Sequence, residues 1–433
     1  MLLGTTVAPL DSAVNAAFPA ITAAFSLEVA DIRWIVISYL LAFSSLIIVA
    51  GRLADLYGHR LVFGIGLALS VAAFLGCGSA PGYGWLLAAR VAQGIGIALV
   101  LGAGPALALA LYPESERTRV LARYTAAFAV ALAAGPVLGG MLVDVFGWRS
   151  VYLGRAPVAL AALALLGRVP ETRIEPGRAF DVTGAFLLAA WTACLSLALA
   201  AGGAVAAVMG LAAAAAFAAF LAREARASEP TIRVGLFRDA AFAIPNLASV
   251  AAHFAGFGVF LLGPYFFVSV LGLSAQGTGL LLGLGPAGEA LGSALAGRLA
   301  VALGTRRVAL AGVLLDLAGV AATAFWDKQT ALAAIAATLV VQGLGIGLFQ
   351  VAYTDIVVAA LPLRDRGVAS SLANLTRTLG VVGAAVVMSA LFRGGGGDAA
   401  FLEAFGFAFG TVAVALWALL ALSFAKPRAW SGR

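Results

Sequence analysis

The sequence predicts an all-α integral membrane protein: two six-helix bundles joined by two extra linker spans, fourteen transmembrane helices in all. Three observations carry this. Of 433 residues, 63% are hydrophobic and only 11% charged, where a soluble domain carries roughly a quarter charged. Apolar runs recur from end to end between short charged loops, and a bilayer crossing takes about 20 such residues. Finally, GRLADLYGHR at 51–60 returns as GRLAVALGTRR at 297–307, and RVAQGIGI at 90–97 returns as LVVQGLGI at 339–346. Two repeats displaced by 246 and 249 residues mark two related halves, the signature of membrane folds built from repeated bundles.

Taken in order, the first half has spans near 2–25, 32–53, 59–79, 83–111, 118–143 and 149–168. Two spans near 180–201 and 204–222 follow, almost wholly Ala, Leu, Gly and Val, which suits a linker or lipid-facing pair. The second half has spans near 240–271, 275–300, 306–325, 329–360, 366–392 and 401–425. The GRLA loop follows span two and then span ten, so six spans make a bundle and two are inserted. The expected domains are 1–168, a linker at 169–230, and 231–433. The opening MLLGTTVAPLDSAVNAAFPAI reads as a retained span, not a cleaved signal peptide. It begins abruptly, so either the true start lies upstream or a cytoplasmic leader has been lost.

Basic loop residues set orientation. With the N-terminus in the cytoplasm, 20 of the 27 Lys and Arg residues face that side and 4 the other. Both termini are therefore expected to be cytoplasmic, and Arg90, Arg155 and Arg377 remain within spans. The net charge of +7 belongs to this membrane-facing bias and does not imply nucleic acid. His59 and His253 are the only histidines and Cys77 and Cys194 the only cysteines, too few for a metal cluster. Neither Lys328 nor Lys426 follows a glycine, as a phosphate-binding loop requires. No ATP motor, metal, cofactor or catalytic constellation is encoded, so the chain does not read as an enzyme, and any pumping must draw on an ion gradient or a partner.

Six motifs fall in order in the right spans: LDSAVNAAFPAI at 10–21, GRLADLYGHR at 51–60, AARVAQGIG at 88–96, GPVLGG at 135–140, LFRDAAF at 236–242 and LGLSAQGTG at 271–279. Together they resemble the major facilitator superfamily and, within it, the fourteen-span drug:proton antiporters. The resemblance implies proton-coupled efflux of lipophilic drugs, dyes or secreted metabolites by alternating access across the bacterial cytoplasmic membrane. Its partners would be a small-molecule substrate, protons and the lipid bilayer, and the working unit a monomer.

By the same resemblance, Asp11 is the proton-handling carboxylate and Arg90 its partner. Gly51, Asp55, Gly58 and Arg60 form a conformational latch that docks near Arg364–Ser370. Gly135, Pro136, Gly139 and Gly140 make the helix that marks antiport. Departures from the family pattern are His59 in place of a base, Leu56 in place of Arg, Arg155 in place of Asn, and Val268 where Gln often stands.

The residues themselves support these roles. A charged group at mid-bilayer costs at least ~2.5–3.5 kcal/mol, so it faces a bundle interior and has a partner. Burial favours a neutral acid and a nearby arginine its carboxylate, so a balanced carboxylate can bind a proton in one conformation and release it in another. The other reading of Asp11 and Arg90 is a fixed ion pair that only sets packing. Gln93, one turn from Arg90, extends the polar face, and Asn15 belongs to the first-span motif. In the second half Glu289 is a second candidate proton carrier, or else a partner for Arg377. Asn374 and Arg377 share one face of span thirteen with Ser370, and His253 precedes Phe257 and Phe260 at helical spacing. Asn15, Gln93, His253, Asn374 and Arg377 are the expected cavity residues, whereas Asp316 reads as structural. Three acids and three arginines within spans do not demand a cationic substrate. Rival readings are a proton-coupled metabolite or lipid transporter, and a non-transporting membrane sensor.

Overall fold

The computed structural model describes residues 2–110, 112, 116–170, 182–200, 203–224, 237–360, 367–392, 397–425 and 430. Among the described residues every regular element is a helix, as a chain must be that satisfies its backbone groups without water. Nine helical segments of this set are long and apolar enough to cross a membrane, and Ser150–Leu166 and Leu375–Leu391 are shorter apolar helices. The chain forms two compact units. Unit 1 comprises Met1–Glu28 and Trp34–Thr231, and unit 2 comprises Val29–Arg33 and Ile232–Arg433.

In unit 1 the first apolar run is not the single helix expected over 2–25. It is α1 (Leu2–Thr6), a 3-10 turn at Pro9–Ser12, α2 (Ala13–Ala16) and α3 (Phe18–Phe25). Pro9 and Pro19 each sit at the start of a new segment, because proline lacks the N–H that would continue the preceding helix. Next come α4 (Arg33–Tyr57), α5 (His59–Gly78), α6 (Tyr83–Ala110) and α7 (Arg117–Phe146). The run expected over 149–168 also breaks, into α8 (Ser150–Leu153) and α9 (Ala156–Leu166), with Gly154 and Arg155 between them and Pro157 in the first turn of α9. Then α10 (Val182–Ala200) and α11 (Gly203–Glu224) pair through Trp191 and Phe217, whose ring centroids are 4.7 Å apart.

Unit 2 begins with α12 (Ala240–Tyr265), which runs on into a π-helical turn at Phe266–Val270. It is followed by α13 (Ala275–Leu303), α14 (Thr305–Thr323), α15 (Leu332–Ala360), α16 (Gly367–Leu391) and α17 (Asp398–Ser423). The side chains of Asp239 and Ser274 accept from the first-turn amides of α12 and α13, the usual remedy for unpaired N-terminal donors. Pro245 inside α12 cannot bond the carbonyl of Ala241, and Arg306 Nη1 donates to that oxygen instead at 3.1 Å.

The internal repeat is written into the helix crossings. In α6, a Cβ on Gly96 would lie 2.9 Å from Ser70 N and 3.0 Å from Gly66 O of α5. In α15, a Cβ on Gly345 would meet Asp316 N at 2.5 Å and Gly312 O at 2.6 Å in α14. A Cβ on Gly94 would lie 3.1 Å from Phe43 N of α4, as one on Gly343 would lie 3.0 Å from Glu289 N of α13. Such contacts exist only because small residues let helix backbones close up in lipid. The loop glycines repeat too: Gly58 and Gly304 have φ of +106° and +89°, which an L side chain resists. Asp316 thus stands where unit 1 has Ser70, and Glu289 where it has Phe43.

Candidate functional site

The two broken spans of unit 1 meet at one carboxylate. Asp11 lies on the 3-10 turn after Pro9, and Arg155 caps the N-terminus of α9. Arg90 reaches the carboxylate from α6 end-on, Nη1 donating to Oδ1 at 2.6 Å and Nη2 to Oδ2 at 2.9 Å. Its Nε donates to Ile35 O at 3.0 Å and its Nη1 also to Gln93 Oε1 at 2.8 Å. Gln93 Nε2 donates to Asp11 Oδ1 at 2.8 Å, and Arg155 Nη1 donates to the same oxygen at 2.7 Å. The Arg90 guanidinium stacks 4.5 Å over Tyr39, and that of Arg155 4.4 Å over Phe74.

Both arginines are buried while the Asp11 side chain stays 15% exposed, so the carboxylate is the accessible member. Two guanidiniums against one carboxylate leave the cluster with a surplus positive charge. Arg155, which reads in the sequence only as a departure from the family pattern, is therefore a full member of the site, and its signal was a third arginine inside a span. Asn15, one turn beyond Asp11 on α2, is half-buried.

Gly135, Pro136, Gly139 and Gly140, which the resemblance links to antiport, lie in α7 against this turn. A Cβ on Gly139 would lie 2.6 Å from Ala13 O, and one on Gly135 would overlap Ser12 Oγ. Pro136 and Gly140 are buried beside them. Pro136 cannot donate to Leu132 O, and Ser12 Oγ lies 3.0 Å from it and 2.8 Å from Pro9 O, sharing its proton between the two. The glycines and the proline together seat the residues next to Asp11 against α7.

At the GRLA loop, His59 Nε2 lies 3.6 Å from Asp55 Oδ1. Gly51 lies in α4, where Gly102 of α6 packs so closely that a Cβ there would be 2.8 Å from Gly51 N, and Arg60 is in the first turn of α5. The side chains of Asn374 and of the expected docking segment Arg364–Ser370 lie outside the described residues.

In unit 2, Glu289 lines a cavity of about 30 Å³ with Pro286, Phe260, Gln342 and Ile346, space for about two waters. Arg377 of α16 is near enough for its charge to act on both Glu289 and His253. His253 Nδ1 donates to Ser249 O at 2.8 Å. Asp316 is fully buried, and neither of its oxygens has a hydrogen-bond partner among the described residues. A polar network not expected from the sequence links α12, α15 and α16. Tyr353 Oη donates to Asn246 Oδ1 at 2.8 Å, and Ser249 Oγ lies 2.9 Å from Thr376 Oγ1.

The sequence matches the Major Facilitator Superfamily over residues 1–237 and 246–432. It is 33% identical over 387 residues to multidrug resistance protein Stp of Mycobacterium tuberculosis (strain CDC 1551 / Oshkosh), covering 87% of this chain and 72% of that protein. It is 29% identical over 411 residues to the tetracenomycin C resistance and export protein of Streptomyces glaucescens, covering 92% and 75%. A solved bacterial homologue of the human lysosomal transporter Spinster, inward-facing and unoccupied, shares the fold with a TM-score of 0.72 at 18% identity, over 99% of this chain and 96% of that one. A chain matched along nearly its whole length, with buried charges at the breaks of its helices and no strand among its described residues, is a multi-pass membrane transporter and a member of the Major Facilitator Superfamily.

Proposed function

We propose that the protein exports small lipophilic solutes, drugs or secreted metabolites among them, from the bacterial cytoplasm in exchange for inbound protons. The single observation that carries this is Asp11: a carboxylate at a helix break, partly accessible, held by Arg90, Gln93 and Arg155. A proton on Asp11 would weaken its hold on both guanidiniums and so change which packing of the first span is favoured. Relatives bearing the names of a multidrug resistance protein and a tetracenomycin C resistance and export protein support the outward direction and the solute class. In this reading the chain makes fourteen spans with both termini in the cytoplasm and works as a monomer by alternating access. Each proton contributes about 2.3 kcal/mol per 100 mV plus ~1.36 kcal/mol per pH unit.

The remaining residues take their parts around that carboxylate. Gly135, Pro136, Gly139 and Gly140 are assigned to hold the Asp11 turn against α7, and Gly51, Asp55, Gly58 and Arg60 to act as the latch. Glu289 is a second proton carrier in unit 2, beside a cavity with room for water. His253, Arg377, Asn374, Asn15 and Gln93 contact the solute.

The test is substrate-induced proton flux in proteoliposomes under an imposed pH gradient, with a panel of lipophilic dyes and drugs. Wild type should give flux that depends on the added solute, and Asp11→Asn should give none while still inserting and melting cooperatively. Undiminished pumping by Asp11→Asn would sink the assignment.

A further inference from the structure

Arg155 spends one donor on Asp11 and keeps two. Its Nη1 bonds the carboxylate, while among the described residues neither Nε nor Nη2 has a hydrogen-bond partner, and both are buried. Nε and Nη2 share one edge of the guanidinium, the fork that receives a carboxylate or similar oxyanion side-on through two parallel bonds. The rings of Phe74 and Tyr152, 4.4 and 5.5 Å from the guanidinium carbon, engage its charge but do not accept from these in-plane N–H groups. The hydroxyl of Tyr152, whose ring lies 5.5 Å from that guanidinium carbon, is fully buried and also has no partner among the described residues. Buried donors are normally paired, so the two on this one edge, with a third on the neighbouring tyrosine, point to an acceptor.

The electrostatics agree on its sign. Arg90 alone would neutralise Asp11, so Arg155 is surplus. It also sits at the N-terminus of α9, an 11-residue helix whose positive end favours anions. The site lies where two discontinuous spans meet, the place where membrane transporters bind solutes.

We propose that the Nε–Nη2 edge of Arg155, with the Tyr152 hydroxyl, receives an anionic group of the transported solute, a carboxylate or comparable oxyanion. This rests on the reading of the Asp11 cluster as part of a solute pathway. The solute approaches from the side of Asp11, the exposed member, and Arg155, tethered by one bond, turns its free edge toward it. Arg90 cannot serve, since all three of its nitrogens are engaged.

The test is equilibrium binding of 1-naphthoate and its uncharged analogue 1-naphthamide to the full chain in neutral-lipid nanodiscs, without a pH gradient. Trp148, whose ring centroid is 6.3 Å from that of Tyr152, reports binding by fluorescence quenching. Wild type should prefer naphthoate by about tenfold or more, as expected for charged hydrogen bonds. Arg155→Asn should abolish that preference, Arg155→Lys should retain only part of it for want of the fork, and Tyr152→Phe should weaken naphthoate alone by a few-fold. The proposal is overturned if wild type in a cooperatively melting sample binds no naphthoate or does not prefer it, or if the preference survives Arg155→Asn. Displacement by inorganic phosphate at the same concentration as naphthoate would assign the fork to a free ion and overturn it too. With no proton gradient imposed, this result and the proton-flux result can fail independently.

Discussion

The Ser12 hydroxyl lies 3.0 Å from the carbonyl of Leu132, the one that Pro136, four residues on, leaves without its helical N–H. It also lies 2.8 Å from the carbonyl of Pro9, so its one proton is shared between them. A proline in α7 is thereby tied to the residue next to Asp11. Ser12→Ala should orphan that carbonyl and lower stability by about 1–3 kcal/mol. In Pro136→Ala the helix regains the bond, so the same Ser12→Ala change should then have much less effect. A double-mutant cycle of thermal unfolding reads the difference, and additive effects would disprove the link.

Gly139 faces the Ala13 carbonyl with no room for a side chain. Gly139→Ala should push the Asp11 turn off α7, costing about 1–3 kcal/mol as overpacking does. It should also slow transport more than Gly140→Ala does. Parallel melting curves and flux rates would check both effects.

The two arginines on Asp11 should not be equivalent. Arg90→Gln strips two bonds from Asp11 and one from Ile35 O, and breaking such a buried pair costs about 3–5 kcal/mol. Arg155→Gln removes one bond and the surplus charge together, so its melting point should stay close to that of wild type. Equal destabilisation would mean that the second guanidinium is needed to hold the fold.

Asp316 occupies the place of Ser70, whose Oγ donates to Gly66 O at 2.8 Å. The corresponding carbonyl beside Asp316 is Gly312. Asp316→Ser should therefore be tolerated, or raise the melting temperature, since it exchanges a buried acid with no hydrogen-bond partner among the described residues for a hydroxyl with an acceptor one turn away. Lost transport with an unchanged melting point would instead reveal a role in the transport cycle.

Gly58 and Gly304 hold positive φ at the two copies of the loop. Alanine at either should cost about 1–3 kcal/mol of strain, read as a fall in melting temperature, with similar effects because the two turns are homologous.

The sequence alone determined what local composition and spacing can specify. Apolar run lengths predicted helices, the 246-residue offset predicted paired halves, and motif order placed Asp11, Arg90 and Gln93 within spans. Hydropathy could not show that the first run and the run at 149–168 break, because their prolines sit in stretches as apolar as any continuous helix. Only the tertiary structure decided what those breaks do. They bring Asp11 and Arg155, 144 residues apart, to one hydrogen-bond distance, and leave one guanidinium edge buried without a partner among the described residues. Charge balance counted along a chain sums to zero for three acids and three arginines. The same charges in space do not cancel, because packing gathers two arginines on one acid in unit 1 and leaves Asp316 without a hydrogen-bond partner among the described residues of unit 2.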